Sequence, residues 1–281
     1  MKPKNQHVIR LDKENALLDL QVNMSNALAR SAHSLSLSEK RIVAACIAKT
    51  DQMPSMEEVQ QRGAWLVRLS AIDYAVTFDV DLDTAYDQLQ AAAKNLFQRY
   101  ITTTRKTKKG PEIYQCVWVG GVRYHKGEGW IELDWWHEIV PHLFKLRGQF
   151  TKYKLRQASA LRSVYSWRLL ELLQSWRGKG CYEPTIEAFC KAMEVPASYQ
   201  KNFKEIRTRV IEPAVQELVQ KSNISITWAP QNAGRKVVGL SFKFRTNEEQ
   251  EELLIAEDQA YRDKLEANGQ QRIDAALDGV A

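Results

Sequence analysis

The sequence predicts an α+β fold, mainly helical, in which one arrangement of elements occurs twice in tandem with a pseudo-symmetric relation between the copies. Three observations predict it. Apolar residues recur at three- and four-residue steps behind good helix-start residues. Short alternating segments bounded by Gly, Lys and Asn turns follow the last helix of each half. The order helix, strand, short helix, turn, long helix, hairpin appears twice, about 120 residues apart. That order describes a winged helix, a helix-turn-helix closed by a β-hairpin.

The first copy opens at Ser36-Leu37-Ser38-Glu39, a capping box in which Ser36 caps an amide and Glu39 reaches back. Its helix runs to about Lys49, with Ile42, Val43, Cys46 and Ile47 on one face. A loop (51–63), a strand (Trp65 to Leu69) and a short helix started by Ser70 and Asp73 follow, and 76–82 breaks that helix. Thr84 with Asp87 starts a longer helix carrying Tyr86, Leu89, Ala93, Leu96, Phe97 and Tyr100. Two strand segments come next, Ile101 to Thr104 plus 113–119, and Trp130 to Leu133, with Gly- and Lys-rich turns between them. The segment 134–157 reads as an ordered connector, helical up to Pro141.

The second copy starts near Ala158, with Leu161, Tyr165, Leu169, Leu172 and Trp176 at helical spacing before Gly178 and Gly180. A short strand (181–183) precedes the helix Thr185 to Met193, and Glu194 to Ser198 forms a turn. A long helix runs from about Tyr199 to Gln220, kinked by Pro213, and strands 224–229 and 237–245 flank a basic tip. The chain therefore divides into an N-terminal arm (1–20), a first winged-helix domain (21–140), a second (141–246) and an acidic tail (247–281).

At 281 residues the chain is long enough for two ordinary cores. Its longest apolar run, Ile42 to Ala48, is far too short to cross a bilayer, and the basic N-terminus has no apolar segment behind it. A cytoplasmic protein with no membrane contact is expected. Cys46, Cys116, Cys181 and Cys190 form no CxxC pair and read as small buried thiols in a reducing compartment. The net charge is +6, but residues 247–281 hold ten acidic and three basic side chains, so the other 246 carry +13. A body this basic points to a polyanion, and the absence of lipidation and basic amphipathic signals favours nucleic acid over membrane.

Catalytic strings are missing. His137-Glu138-Ile139-Val140-Pro141-His142 resembles the zinc-protease HExxH but has one residue too many, so its imidazoles diverge on a straight helix. No phosphate loop and no His-x-His pair is present, and Asp79, Asp81 and Asp83 read as helix-start charge. No metal, cofactor or enzymatic activity is implied, although a metal-dependent nicking or priming enzyme is the rival of a different class.

In a helix-turn-helix the second helix enters the major groove, its N-terminal half against base edges. In the second domain, Phe203, Ile206, Val210, Ala214 and Leu218 should face the core, while Lys201, Glu205, Thr208, Arg209 and Glu212 project outward and Lys204 lies to one side. Arg207 falls near the edge of the apolar arc, and its long stem can carry the charge out. In the first domain the corresponding face offers Gln88, Gln90, Lys94, Asn95 and Gln98, mostly amides. Phosphate contacts are expected from the turn at Arg105, Lys106, Lys108 and Lys109, from Arg235 and Lys236, and from Lys145, Arg147, Lys152, Lys154 and Arg156 between the two readers.

Four segments carry a resemblance: SNALARSAHSLSLSEKRIVAACIAK (25–49), FTKYKLRQASALRSVYSWRLLELLQSW (150–176), VPASYQKNFKEIRTRVIEPAVQEL (195–218) and GRKVVGLSFKFR (234–245). The chain is similar to the iteron-binding replication initiator (Rep) proteins of bacterial plasmids, which have two winged-helix domains. The Arg-x-Arg-Val-Ile-x-Pro-Ala string is the most specific part of the match, whereas 76–135 agrees only in outline and the acidic tail exceeds the family's core. The resemblance implies monomers on directly repeated iterons, with Lys201, Lys204, Arg207, Thr208 and Arg209 at the DNA. It also implies opening of an adjacent A/T-rich segment, recruitment of the host DnaA and DnaB, and dimers, formed mainly through the first domain, that repress the protein's own promoter. A dedicated winged-helix transcriptional repressor is the nearest alternative.

Overall fold

The computed structural model describes residues 17–50, 65–125, 127–143 and 150–246, the side chains of 104–106 excepted. The acidic tail, the first sixteen residues of the N-terminal arm, and Lys145 and Arg147 lie outside the described residues.

The first half comprises β1 (Gln21–Ser25), α1 (Asn26–Arg30), α2 (Leu37–Thr50), β2 (Leu66–Ser70), α3 (Ala71–Phe78) and α4 (Leu82–Asn95). It continues with β3 (Tyr100–Thr107), β4 (Gly110–Val117), β5 (Val119–His125), β6 (Trp130–Trp135) and α5 (Val140–Leu143). The second half comprises β7 (Phe150–Lys154), α6 (Arg156–Ser159), α7 (Val164–Gln174), β8 (Cys181–Tyr182), α8 (Ile186–Ala192) and α9 (Ala197–Gln200). Its reading helix follows as α10 (Phe203–Ile206), a π-helical turn (Arg207–Ile211) and α11 (Glu212–Lys221), and β9 (Ile224–Ala233) and β10 (Lys236–Thr246) close it.

The tandem winged-helix arrangement is confirmed at the level of sheet order. β2-β6-β5 in the first half and β8-β10-β9 in the second are three-stranded antiparallel sheets in which the strand before the helix-turn-helix pairs with the last strand of the hairpin. The opening strands of the halves, β1 and β7, pair antiparallel with each other, centred on Asn23 opposite Lys152. An approximate twofold axis through that pair relates the copies, and side chains reciprocate across it. Arg41 of α2 donates to Leu161 O at 2.9 Å, and Arg168 of α7 donates to Ser31 O at 2.6 Å.

Local chemistry explains most boundaries. Glu39 accepts from Ser36 N at 2.9 Å and donates its own amide to Ser36 Oγ, so the capping box forms. Ser70 caps α3 through Asp73 N at 3.0 Å. Asp81, not Thr84, caps α4, accepting from Thr84 N at 2.8 Å; the helix therefore starts a turn earlier than expected. Pro141 lies within α5 and does not end a helix; 137–139 are turns, because a proline in the first turn sacrifices no helical hydrogen bond.

The largest departure concerns the first hairpin. The expected pairing of Ile101–Thr104 and 113–119 with Trp130–Leu133 is replaced by two hairpins. β3 and β4 form a two-stranded sheet of their own, bridged to Ala32 at Thr102, as an insertion outside the winged-helix sheet, and the true wing is β5–β6. Its tip is held down by Gly129, whose φ of +64° and missing side chain are both required. A Cβ there would stand 2.1 Å from the Tyr86 ring of α4. Gly129 O also accepts from Ala71 N at 2.7 Å, tying the tip to α3.

A buried polar cluster joins the halves. Lys40 on α2 donates to Glu171 on α7 at 2.7 Å, and the Tyr153 hydroxyl donates to the other oxygen at 2.9 Å. Arg168 spans the seam, giving hydrogen bonds to Ser31 O and Ala192 O, each at 2.6 Å. His33 Nδ1 faces Lys40 Nζ at 3.1 Å and Arg168 Nη1 at 3.0 Å, so it must be the acceptor nitrogen, and Nε2–H then donates to Leu28 O at 2.8 Å. Burial, with Lys40 and Arg168 alongside, holds the His33 imidazole well below its ordinary pKa and therefore neutral.

Candidate nucleic-acid interface

The second reader begins at the turn 194–196, where Glu194 takes a positive φ and Gln200 Nε2 bonds Val195 O at 2.6 Å. Asn202 then caps the long helix by accepting from Lys204 N at 2.9 Å. Ile206, Val210, Ala214 and Leu218 are buried as the periodicity predicts, with Phe203 packed beside them. Ile211 is buried as well, next to Val210. The π turn accounts for this: the Glu212 amide bonds Arg207 O, five residues back, which adds a residue to the turn. It lies immediately before Pro213, where the missing N–H was expected to disturb the helix.

Between the buried Ile206 and Val210, Arg207, Thr208 and Arg209 are all exposed, and Lys201 and Lys204 are exposed one turn earlier. The two arginines are held by carboxylates in the absence of DNA. Arg209 Nε lies 2.5 Å from Glu205, with its guanidinium 5.2 Å from the Tyr199 ring centre, and Arg207 Nε lies 3.4 Å from Glu212. Thr208 Oγ1 donates back to Lys204 O at 2.9 Å. Exposed pairs of this kind are weak, so a phosphate or guanine edge can displace them.

The wing completes the surface. β9 and β10 meet in a two-residue turn, Gly234-Arg235, with Gly234 at φ +60° as such turns favour, and Arg235 and Lys236 are exposed beside it. α11 runs down to Ser222 and Asn223 at the base of this hairpin, and β9 runs back up from there. The cationic start of the reading helix and the wing tip thus project from one end of the domain. The tip stands about 33 Å from the base, for ten residues of strand.

The other expected contacts are distributed unevenly. Lys94 is exposed near the end of α4, but the first turns of that helix carry exposed Asp81, Asp83 and Asp87, which repel phosphate. Lys108 and Lys109 are exposed at the tip of the inserted β3–β4 hairpin, not on the wing of the first domain. Arg105 and Lys106 lie on β3 next to it, their side chains outside the described residues. Lys152 and Lys154 were expected between the two readers. They occupy the exposed face of β7, the strand paired with β1 at the seam of the halves, and line a cleft with Lys221, Asn223 and Thr246 at the base of the second wing. Sequence reasoning also passed over Arg68 and Arg123, exposed cations that share Glu132 on the first wing at 3.1 Å and 2.6 Å. Their cross-strand spacing around Glu132 was the available signal. Among the described residues no group of three metal-ligating side chains is found, and no helix is long and apolar enough to cross a membrane.

Residues 21–174 match the family described as initiator replication protein, first winged-helix domain, and residues 185–244 match the second winged-helix domain of initiator Rep proteins. An uncharacterized 27.6 kDa protein of Escherichia coli is 24% identical over 223 residues, which is 77% of this chain and 92% of that protein. The crystal structure of the Pi initiator protein in complex with iteron DNA superposes with a TM-score of 0.66 at 21% identity, covering 81% of this chain and 97% of that one.

Proposed function

The chain belongs to the initiator replication protein family, and on that premise we propose that it starts replication of a plasmid by binding directly repeated iterons at the origin as a monomer. The cationic face of the second domain carries this reading: Lys201, Lys204, Arg207, Thr208 and Arg209 on one helix, with Arg235 and Lys236 at the same end. The twofold relation between the halves supports the geometry, because two readers so related fit successive major grooves of about two helical turns, or roughly 20 bp. The acidic start of α4 supports a greater share of affinity for the second domain. We start that domain at 141 because β7 and α6 repeat the roles of β1 and α1. The arm (1–20) and tail (247–281) flank the two units. Opening of a neighbouring A/T-rich segment and recruitment of the host DnaA and DnaB complete the role, in the bacterial cytoplasm with the plasmid.

Footprinting on the DNA that flanks the gene tests this. Several protected direct repeats of about 20 bp are expected. Protection of a single inverted repeat alone would favour the repressor reading, and metal-dependent cleavage or priming by the purified chain would overturn both.

Dimers formed through the first domain belong to the same proposal, as the form that represses the protein's own promoter. The inserted hairpin supports this, since Ile113 is 67% exposed and Tyr100, Tyr114 and Phe97 beside it are also open. Ile113→Asp is expected to shift sedimentation toward the monomer by about tenfold in dissociation constant, with single-repeat binding retained. An unchanged monomer–dimer equilibrium would place the dimer contact elsewhere.

A further inference from the structure

The cleft beneath β1 and β7 has a charge imbalance that DNA reading at the opposite end leaves unexplained. Val22, Met24, Thr151 and Tyr153 point into the core, so Lys152 and Lys154 stand on the solvent side of a two-stranded sheet. A cleft of about 320 Å³ there is lined by Lys152, Lys154, Arg156, Arg177 and Lys221 among neutral residues, with no carboxylate among the described residues of its wall. A second, of about 610 Å³, shares Lys152 and Arg177 and adds Arg30 and Lys179, again with no carboxylate among the described residues. Arg156 pairs with Asp19, and Lys221 with Glu217 at 2.8 Å, both outside these walls. Among the described residues Lys152 and Lys154 have no carboxylate partner. Cations crowded into a concave surface raise the potential for an anion strongly.

Thr246, where β10 ends, is itself part of the wall of the smaller cleft. The next residues are Asn247-Glu248-Glu249-Gln250-Glu251-Glu252, followed by Glu257 and Asp258. We propose that the acidic tail docks in this cleft, its glutamates from 248 to 252 set against Lys152 and Lys154. The reach suffices: each residue extends the chain by up to ~3.5 Å, so six residues span roughly 20 Å from a residue already in the wall. The tether also gives these carboxylates an effective concentration on the order of millimolar, which a free anion must exceed. Both matched family regions end before the tail, at 244 at the latest, so the device is an addition to the shared fold. Its consequence is electrostatic. A net −7 parked near the wing base lies about 30 Å from the reading face, beyond the ~10 Å screening length at 0.1 M salt, and does not repel the duplex.

Carbodiimide cross-linking of the full chain without DNA tests this, using an equal mixture of unlabelled and ¹⁵N-labelled protein. The Lys221–Glu217 pair at 2.8 Å serves as the internal control. Links from Lys152 or Lys154 to the 247–258 stretch are expected, within one isotope only, and they should disappear at about 1 M salt, where screening falls to ~3 Å. Links from the tail to Lys201, Lys204 or Lys236, mixed-isotope links, or the control link alone would each overturn the proposal. As a second measurement, K152E/K154E in the full chain should make 247–258 at least tenfold more sensitive to protease. A fall in affinity with a shallower salt dependence would show that the cleft holds DNA and refute tail docking.

Discussion

Replacing Glu171 with Ala is expected to destabilise the protein by about 3–5 kcal/mol, the usual consequence of removing one partner from a buried ionic cluster. Glu171 is fully buried and is the anion shared by Lys40, 2% exposed at its side chain, and by Arg168 at 3.5 Å. Without it, the Lys40 ammonium loses its ion pair with Glu171 and shares an enclosed space with a second cation and a neutral imidazole. Burial already pulls the Lys40 pKa down while Glu171 opposes that fall, so the truncated cluster should shed its proton or open the seam between α2 and α7. Arg168 should hold on longer, because its guanidinium is also satisfied by the carbonyls of Ala29, Ser31 and Ala192. Denaturant unfolding at neutral pH measures the effect. K40M/E171Q, which removes charge of both signs, should recover part of the loss. A cost below 1 kcal/mol for Glu171→Ala would mean that water reaches the cluster and that the halves are joined mainly by apolar packing.

The same cluster marks how far the sequence could be read. Features governed by neighbours a few residues apart were legible: the Ser36–Glu39 box, the buried arc from Ile206 to Leu218, the disturbance around Pro213 and the repeated element order. Features governed by distant partners were not. β1 pairs with β7, and Lys40 with Glu171, across 131 positions, and a five-residue strand carries no information about which strand it will meet. The inserted β3–β4 hairpin was merged with the wing for a related reason. Alternating segments and Gly-Lys turns specify that hairpins exist but not how four strands divide between two sheets. At Asp81 and Thr84 either side chain could cap, and only the backbone path chose between them.

Arg209→Ala and Arg207→Ala are each expected to weaken binding to the cognate repeat by about 1–3 kcal/mol, roughly 5- to 150-fold, while leaving affinity for a scrambled duplex nearly unchanged. Residues 207, 208 and 209 are all exposed, between the buried Ile206 and Val210. Two guanidinium groups are thereby presented at the start of a reading helix, where bidentate contact to guanine O6 and N7 is geometrically available. Each leaves a weak surface carboxylate, Glu212 or Glu205, to do so. Glu205→Gln should accordingly strengthen binding to both duplexes several-fold at low salt, by removing a repelling charge and freeing Arg209. Lys201→Ala and Lys204→Ala should behave differently, lowering affinity for cognate and scrambled DNA alike and reducing the salt slope by about one each. Titrations of both duplexes across a salt series separate these classes. If Arg207→Ala and Arg209→Ala lose cognate and scrambled affinity in equal measure, the arginines grip phosphate, and base reading must then fall to Thr208 and the amide side chains of α4.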